Sequence, residues 1–271
     1  LVEAPILWHL GQAYLTIRQL PQTSEFLQQT STLAHKQNSS PLLATTLNDL
    51  GILFVLQQQD EKALDAFQES VTHAERAGLS LLAATARTNA ARAWLRLKQA
   101  TNSRLTLHAA LEQLQAVSPP SRQTALGLIG IAVTYQRLLS HLPQEHDALL
   151  LRTAGVLQEA TTIAERLGDK RTLSYALGYL GHLYETSFRM DEALQLTRRA
   201  LFAAQSVDAP ESLYRWQWQL GRQLAAVGQL DQAIASYRQA TLTVQPIRAE
   251  LTQASSDGVV GEQDTVKPLF F

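Results

Sequence analysis

Apolar residues recur along the chain at helical spacing and gather into short blocks that repeat. The blocks LGQAY at 10–14, LGILF at 50–54 and LGHLY at 180–184 each set a leucine before a glycine and an aromatic three residues after it; LGRQL at 220–224 keeps the Leu-Gly pair. Gly11 and Gly51 lie forty residues apart, as do Gly181 and Gly221. The same step from Gly51 reaches Ala91, followed three residues later by Trp94, and a step one residue longer reaches Ala132, followed by Tyr135. Small residues at 11, 51, 91, 132, 181 and 221 therefore mark six units.

Each unit has a second half with its own pattern. DEKALDAFQES, DEALQLTRRA and DQAIASYRQA place Ala63, Ala193 and Ala233 twelve residues after a glycine, with Phe67, Thr197 and Tyr237 four further on and Ser70, Ala200 and Ala240 three beyond those. Small, large, small at i, i+4 and i+7 is one face of a helix. Ser103, Leu107 and Ala110 fit the same frame, and Thr153, Leu157 and Ala160 do so after a nine-residue insertion around Ser140–Leu149. Asp60, Asp191 and Asp231 are expected to cap the second helices. Asn38-Ser39-Ser40-Pro41, Gly78, Ser118-Pro119-Pro120-Ser121, Gly168-Asp169 and Asp208-Ala209-Pro210 punctuate the units. No β-branched alternation bounded by turns predicts a sheet. A glycine or alanine in the first helix admits the second helix closely, and the nearby large residue fills the remaining space.

The pattern L-G-x-x-Y/F, followed at twelve residues by A-x-x-x-F/Y-x-x-A, resembles the tetratricopeptide repeat. The resemblance runs from about Pro5 to Val244, in units of about 1–38, 39–78, 79–118, 119–168, 169–208 and 209–245. It implies an all-α fold, a right-handed α-solenoid of about six helix pairs. The period of about forty exceeds the usual thirty-four, so helices or loops must be longer, and the proline that often closes a unit is missing or displaced.

Composition narrows the function. The chain is 45% hydrophobic and carries 23 basic against 24 acidic side chains, so it has a large core and no net pull toward nucleic acid or anionic lipid. It has no cysteine, which excludes disulfides, thiolate metal sites and cysteine nucleophiles and suits a cytoplasmic setting. No apolar run approaches the roughly 20 residues of a membrane helix. Leu1 opens no signal-peptide pattern, and the native start is expected to lie elsewhere.

Candidate chemistry is sparse. His9, His35, His73, His108 and His182 fall in different units without ligand spacing. His141-Leu-Pro-Gln-Glu145-His146-Asp147 gathers two imidazoles and two carboxylates, and reads as a solvated loop. Phosphate loops, nucleophile elbows and acid/base pairs are missing, so no catalytic residue, metal or cofactor is expected. Trp94 occupies the core position of Tyr14, Phe54, Tyr135 and Tyr184.

The resemblance implies a concave groove lined by the first helices, and taking the same offsets in every unit gives Asn48, Thr88, Arg92, Arg96, Arg137, His182, Glu185, Arg215, Trp218 and Arg222. Trp8 shares the offset of Trp218, three residues before the glycine; both are candidate binding anchors or, alternatively, end caps in terminal units. Five arginines against one glutamate suggest an acidic peptide or linker as occupant, unless they pair with neighbouring carboxylates. The chaperone-type carboxylate clamp does not map here, since Asn48 and Asn89 alone do not complete it.

The pattern changes at Pro246. Ser255-Ser256-Asp257-Gly258 reads as a linker, and Thr265-Val266-Lys267-Pro268-Leu269-Phe270-Phe271 as the start of a further helical segment. This stretch resembles the segment after the repeats in bacterial proteins with a caspase-like CHAT domain, although the Ser-Phe-Arg-Glu-like spacer is absent. The resemblance implies a non-catalytic interaction scaffold, the regulatory arm of such a protein, able to contact a C-terminal domain. A sensory ligand-binding module of a bacterial signalling or transcription regulator is the alternative.

Overall fold

The structure, a computed structural model, describes residues 3–247. Among these residues there are twelve α-helices and no strand. The chain divides after Ser118 into two compact units. The first holds α1 (Glu3–Thr16), α2 (Leu20–Lys36), α3 (Ser40–Leu56), α4 (Asp60–Arg76), α5 (Ser80–Arg96) and α6 (Ala100–Gln115). The second holds α7 (Arg122–Leu138), α8 (His146–Arg166), α9 (Lys170–Thr186), α10 (Met190–Gln205), α11 (Pro210–Ala226) and α12 (Leu230–Val244). In both units each odd helix packs along the even helix that follows it, and the fold is an α-solenoid of helix pairs.

The long period comes from the helices. Both α3 and α4 are 17 residues long, and three-residue connectors complete the forty-residue unit. Nine of the eleven connectors turn through one left-handed residue: Arg18, Gln58, Lys98, Phe188 and Gly228 within pairs, and Asn38, Gly78, Gly168 and Asp208 between them. The turn is closed by hydrogen bonds such as Gln58 N–H to Val55 O and Gln59 N–H to Phe54 O, which satisfy carbonyls of the last helical turn. Most of these positions are not glycine, which is why only some turns were visible as sequence punctuation. The aspartates differ from expectation. Asp60 is the first residue of α4, while Asp191 and Asp231 are second in α10 and α12, and the caps are Gln59, Arg189 and Gln229. These carboxylates act on the helix dipole from within the first turn. Side-chain capping is found instead at Ser121, in a capping box with Thr124, and at Asp169, which accepts from Thr172 N–H at 3.1 Å. The insertion forms a 3₁₀ turn at Pro143–Glu145 and an early start to α8, held by buried Leu142 and Leu149.

The marker glycines sit where the paired helices are closest. A Cβ on Gly51 would lie 2.4 Å from the ring of Phe67, on Gly221 2.6 Å from Tyr237, on Gly11 2.6 Å from Leu27, and on Gly181 2.7 Å from Thr197 Oγ1. Every partner is sixteen residues on, the large residue of the second-helix pattern. Phe67 and Tyr135 are fully buried, whereas Trp94, Tyr14, Phe54 and Tyr184 are only partly so. Thr265–Phe271 and the expected linker after Ile247 lie outside the described residues.

One substitution type should act with opposite signs at two helical glycines. Gly51→Ala should destabilise by about 1–3 kcal/mol, because buried Phe67 has no room to retreat. Gly155→Ala in α8, where a Cβ meets nothing within 4 Å, should stabilise by about 0.5–1 kcal/mol. Urea unfolding midpoints of the two variants against the parent check both.

Candidate functional site

In the first unit α1 packs on α3 and α3 on α5; in the second α7 packs on α9 and α9 on α11. Even helices do not approach one another to this degree, so the odd helices form the inner layer of each unit. The candidate residues all belong to odd helices, five in the first unit and six in the second.

Polar side chains stitch the inner layer of the first unit. Trp8 Nε1–H donates to Asp49 Oδ2 at 2.8 Å, and Gln12 donates to the same oxygen at 3.2 Å. Asn89 Nδ2–H donates to Asn48 Oδ1 at 3.0 Å, and Arg92 donates to Asn89 Oδ1 at 3.3 Å. Asn48 and Thr88 are buried, Thr88 bonding the Ala84 carbonyl, so they support the face without presenting themselves on it. Arg96 pairs with Asp60. Asp49 is buried, and that burial pushes its carboxyl up from 3.8 to about 6 against the donors Trp8, Gln12 and Asn48.

The second unit centres on Glu185. Arg222 donates to it bidentately, Nε–H to Oε1 and Nη2–H to Oε2, both at 3.1 Å; Gln223 and His182 reach Oε2 at 3.4 Å. Burial pushes the Glu185 carboxyl up, but the bonds from His182 and Arg222 together with the guanidinium charge outweigh it and hold the group below its ordinary value. Arg215 bonds the Glu211 carbonyl and lies over the Tyr214 ring. Arg137 is exposed in the last turn of α7. Trp218 is 52% exposed, its ring 5.0 Å from that of Tyr237. The arginines are thus tied to the protein's own acceptors at Arg96, Arg215 and Arg222, which shrinks the basic excess expected from counting.

Sequence reasoning passed over the residues at a neighbouring offset, two before each small residue. Asp49, Asn89 and Gln219 stand there, and all three are buried. Each bonds the residue three before the small residue of the preceding unit: Asp49 to Trp8, Asn89 to Asn48, and Gln219 Nε2–H to the Gly178 carbonyl at 3.0 Å. A polar residue recurring in an otherwise apolar helix stretch was the available signal. Trp216 was also missed. Its indole fills the space left by Gly178, donates to Ser174 Oγ at 2.9 Å and meets Tyr175 and Tyr179 edge-on. Among the described residues no group of three or more His, Asp or Glu is placed to hold a metal ion, and no helix is long and apolar enough to cross a membrane.

Residues 3–76 match the tetratricopeptide repeat family. No curated protein sequence matches the chain. Among solved structures it is similar to BtubC (BKLC) from P. vanneervenii, at 19% identity over 88% of this chain and 92% of that one, with a TM-score of 0.64. It is similar to a Rap protein complexed with Competence and Sporulation Factor, at 14% identity, 90% and 68% coverage and a TM-score of 0.61. A third is the STAND (signal transduction ATPase with numerous domains) protein with a tetratricopeptide repeat sensor from Pyrococcus horikoshii, at 11% identity and a TM-score of 0.63; 94% of this chain covers 37% of that protein. These similarities establish the tetratricopeptide-type fold.

The raised Asp49 carboxyl makes stability depend on pH in a definite direction. The folded chain keeps a proton that the unfolded chain releases above pH 3.8, so this contribution is largest below that value and is lost as pH rises through about 6. Asp49→Asn should remove the dependence and raise stability at pH 7 by about 1–3 kcal/mol. Urea unfolding of variant and parent at pH 4 and pH 7 measures the difference; equal gaps at both values would reject the assignment.

Proposed function

We propose that the chain is a non-catalytic interaction scaffold that binds a peptide or partner segment on its odd-helix face. The observation that carries this reading is pre-organisation. Arg92 is held by Asn89 within the inner layer of the first unit, and His182 and Arg222 by Glu185 in the second, while His182 and Arg222 remain about two-fifths exposed. Donors oriented before binding lose little entropy on meeting a carboxylate or a peptide carbonyl. The structural likeness to a Rap protein, which binds Competence and Sporulation Factor, supports a peptide as occupant. An acidic segment fits the guanidinium group of Arg92 in the first unit or of Arg137 in the second.

The scaffold reading extends to the regulatory arm of a bacterial, cytoplasmic CHAT protein through the sequence after Pro246, with an intramolecular contact to a C-terminal domain; sequencing the gene beyond Phe271 tests that extension. A sensory ligand-binding module draws on the likeness to the P. horikoshii protein, whose repeats are a sensor. A metabolite that raises the melting temperature in a concentration-dependent way would select it.

Peptides selected from a random displayed library on the full chain should be net acidic. Arg137→Ala, His182→Ala or Arg222→Ala, all in the second unit, should weaken the best of them about tenfold, or about 1.4 kcal/mol, in fluorescence polarisation. A library that yields no enriched peptide, or binding indifferent to all three variants, would overturn the scaffold reading.

A further inference from the structure

The repeat register shows that one face of the last described helix pair is built to be covered. In the second and fifth helix pairs two positions are buried by the pair that follows. The residue three before the marker glycine is Asn48, bonded by Asn89 of α5, and Gly178, filled by Trp216 of α11. The residue thirteen after it is Leu64, in one apolar cluster with Ala90 and Ala93 of α5, and Leu194, in one cluster with Leu224 of α11. Leu64 is 6% exposed and Leu194 8%. At the last pair the same two positions are Trp218 and Ile234, 52% and 49% exposed. Leu230, one helical turn before Ile234, and Val227 extend the surface, and the Tyr237 ring joins Trp218 to it. Leu242 is also exposed, but its counterpart Phe202 is exposed inside the array, so that position needs no cover.

We propose that Val266–Phe271 of the same chain docks on this face, setting Leu269, Phe270 and Phe271 against Trp218, Ile234 and Leu230. The segment lies outside the described residues, and three observations favour it over other occupants. It is the most apolar stretch after α12, with Val266, Leu269, Phe270 and Phe271 among six residues. The intervening stretch from Arg248 to Thr265 is polar and carries no proline; a stretch of that length reaches at most about 60 Å. That exceeds the roughly 22 Å length of α12, so the tether is long enough to bring the segment back along the helix to this face. Lys267, the segment's one cation, complements exposed Asp231 at the start of α12. This assigns Trp218 to end-capping and leaves the partner-binding face independent of it.

The absence of cysteine allows a direct trap. Full-length Ile234→Cys/Phe270→Cys, oxidised mildly at low micromolar concentration, should form an intramolecular disulfide, seen as a faster-migrating monomer on non-reducing gels. Leu151→Cys/Phe270→Cys, whose first site is a 74% exposed position on α8, should form it at least tenfold more slowly. Equal rates for the two pairs would overturn the proposal, as would no cross-link at all. A disulfide-linked dimer from Ile234→Cys alone would assign the face to a second copy instead. As a readout independent of the introduced thiols, Leu269→Asp/Phe270→Asp should speed amide exchange in α12, and unchanged exchange would count against docking.

Discussion

The structure depends on a close approach between paired helices that a single missing Cβ permits. Gly11, Gly51, Gly181 and Gly221 each face a side chain sixteen residues later that would collide with any added carbon. Because that side chain differs, being Leu27, Phe67, Thr197 or Tyr237, the constraint is on the space at the glycine and not on one particular contact. Ala91 and Ala132 show the limit of tolerance, both fully buried with a methyl group accommodated. Once the pair is set at this distance, the second helix's small positions come close to the backbone. Ser70 reaches the Ala44 carbonyl and Ser103 the Ala91 carbonyl, both at 2.7 Å. Tight pairing therefore also satisfies polar groups that burial would otherwise strand.

A second layer of order joins one pair to the next within each unit. Bonds such as Trp8–Asp49, Asn89–Asn48 and Gln219–Gly178 span forty-one residues, one repeat plus one position. Apolar packing between pairs is forgiving of small slides, whereas a buried donor must find its acceptor. The ladder therefore sets the stagger between neighbouring odd helices. Its most expensive rung is Asp49, whose carboxyl is buried with neutral donors and no cation. The Glu185–Arg222 pair performs the same joining role in a half-exposed setting, where a bidentate geometry leaves the carboxylate ionised.

These two layers shape what the surface can offer a partner. Much of what a sequence pattern marks as groove chemistry is consumed in holding the repeats together: Trp8, Asn48 and Thr88 serve the scaffold, and Arg96, Arg215 and Arg222 already have acceptors. Fixed side chains at the face favour selectivity over breadth, because a ligand must fit groups that do not move to meet it.

The repeat, its small-residue marker, the large residue opposite and the all-helical class were legible in the residues themselves, because steric exclusion at a close contact writes itself into every unit in the same place. A longer unit was deducible from the forty-residue period, though not whether helices or loops absorbed the excess. The turns at Arg18, Gln58, Lys98 and Phe188 were not legible, since packing of the flanking helices imposes a left-handed backbone on residues that do not prefer it. Nor were the hydrogen-bond partners of the inner layer. Which arginine meets which carboxylate depends on the stagger of helices about forty residues apart, and that stagger exists only after the pairs have packed. A periodic contact can be read from sequence; a polar pairing between repeats is decided by the tertiary structure, where distance and burial choose among acceptors that look equivalent along the chain.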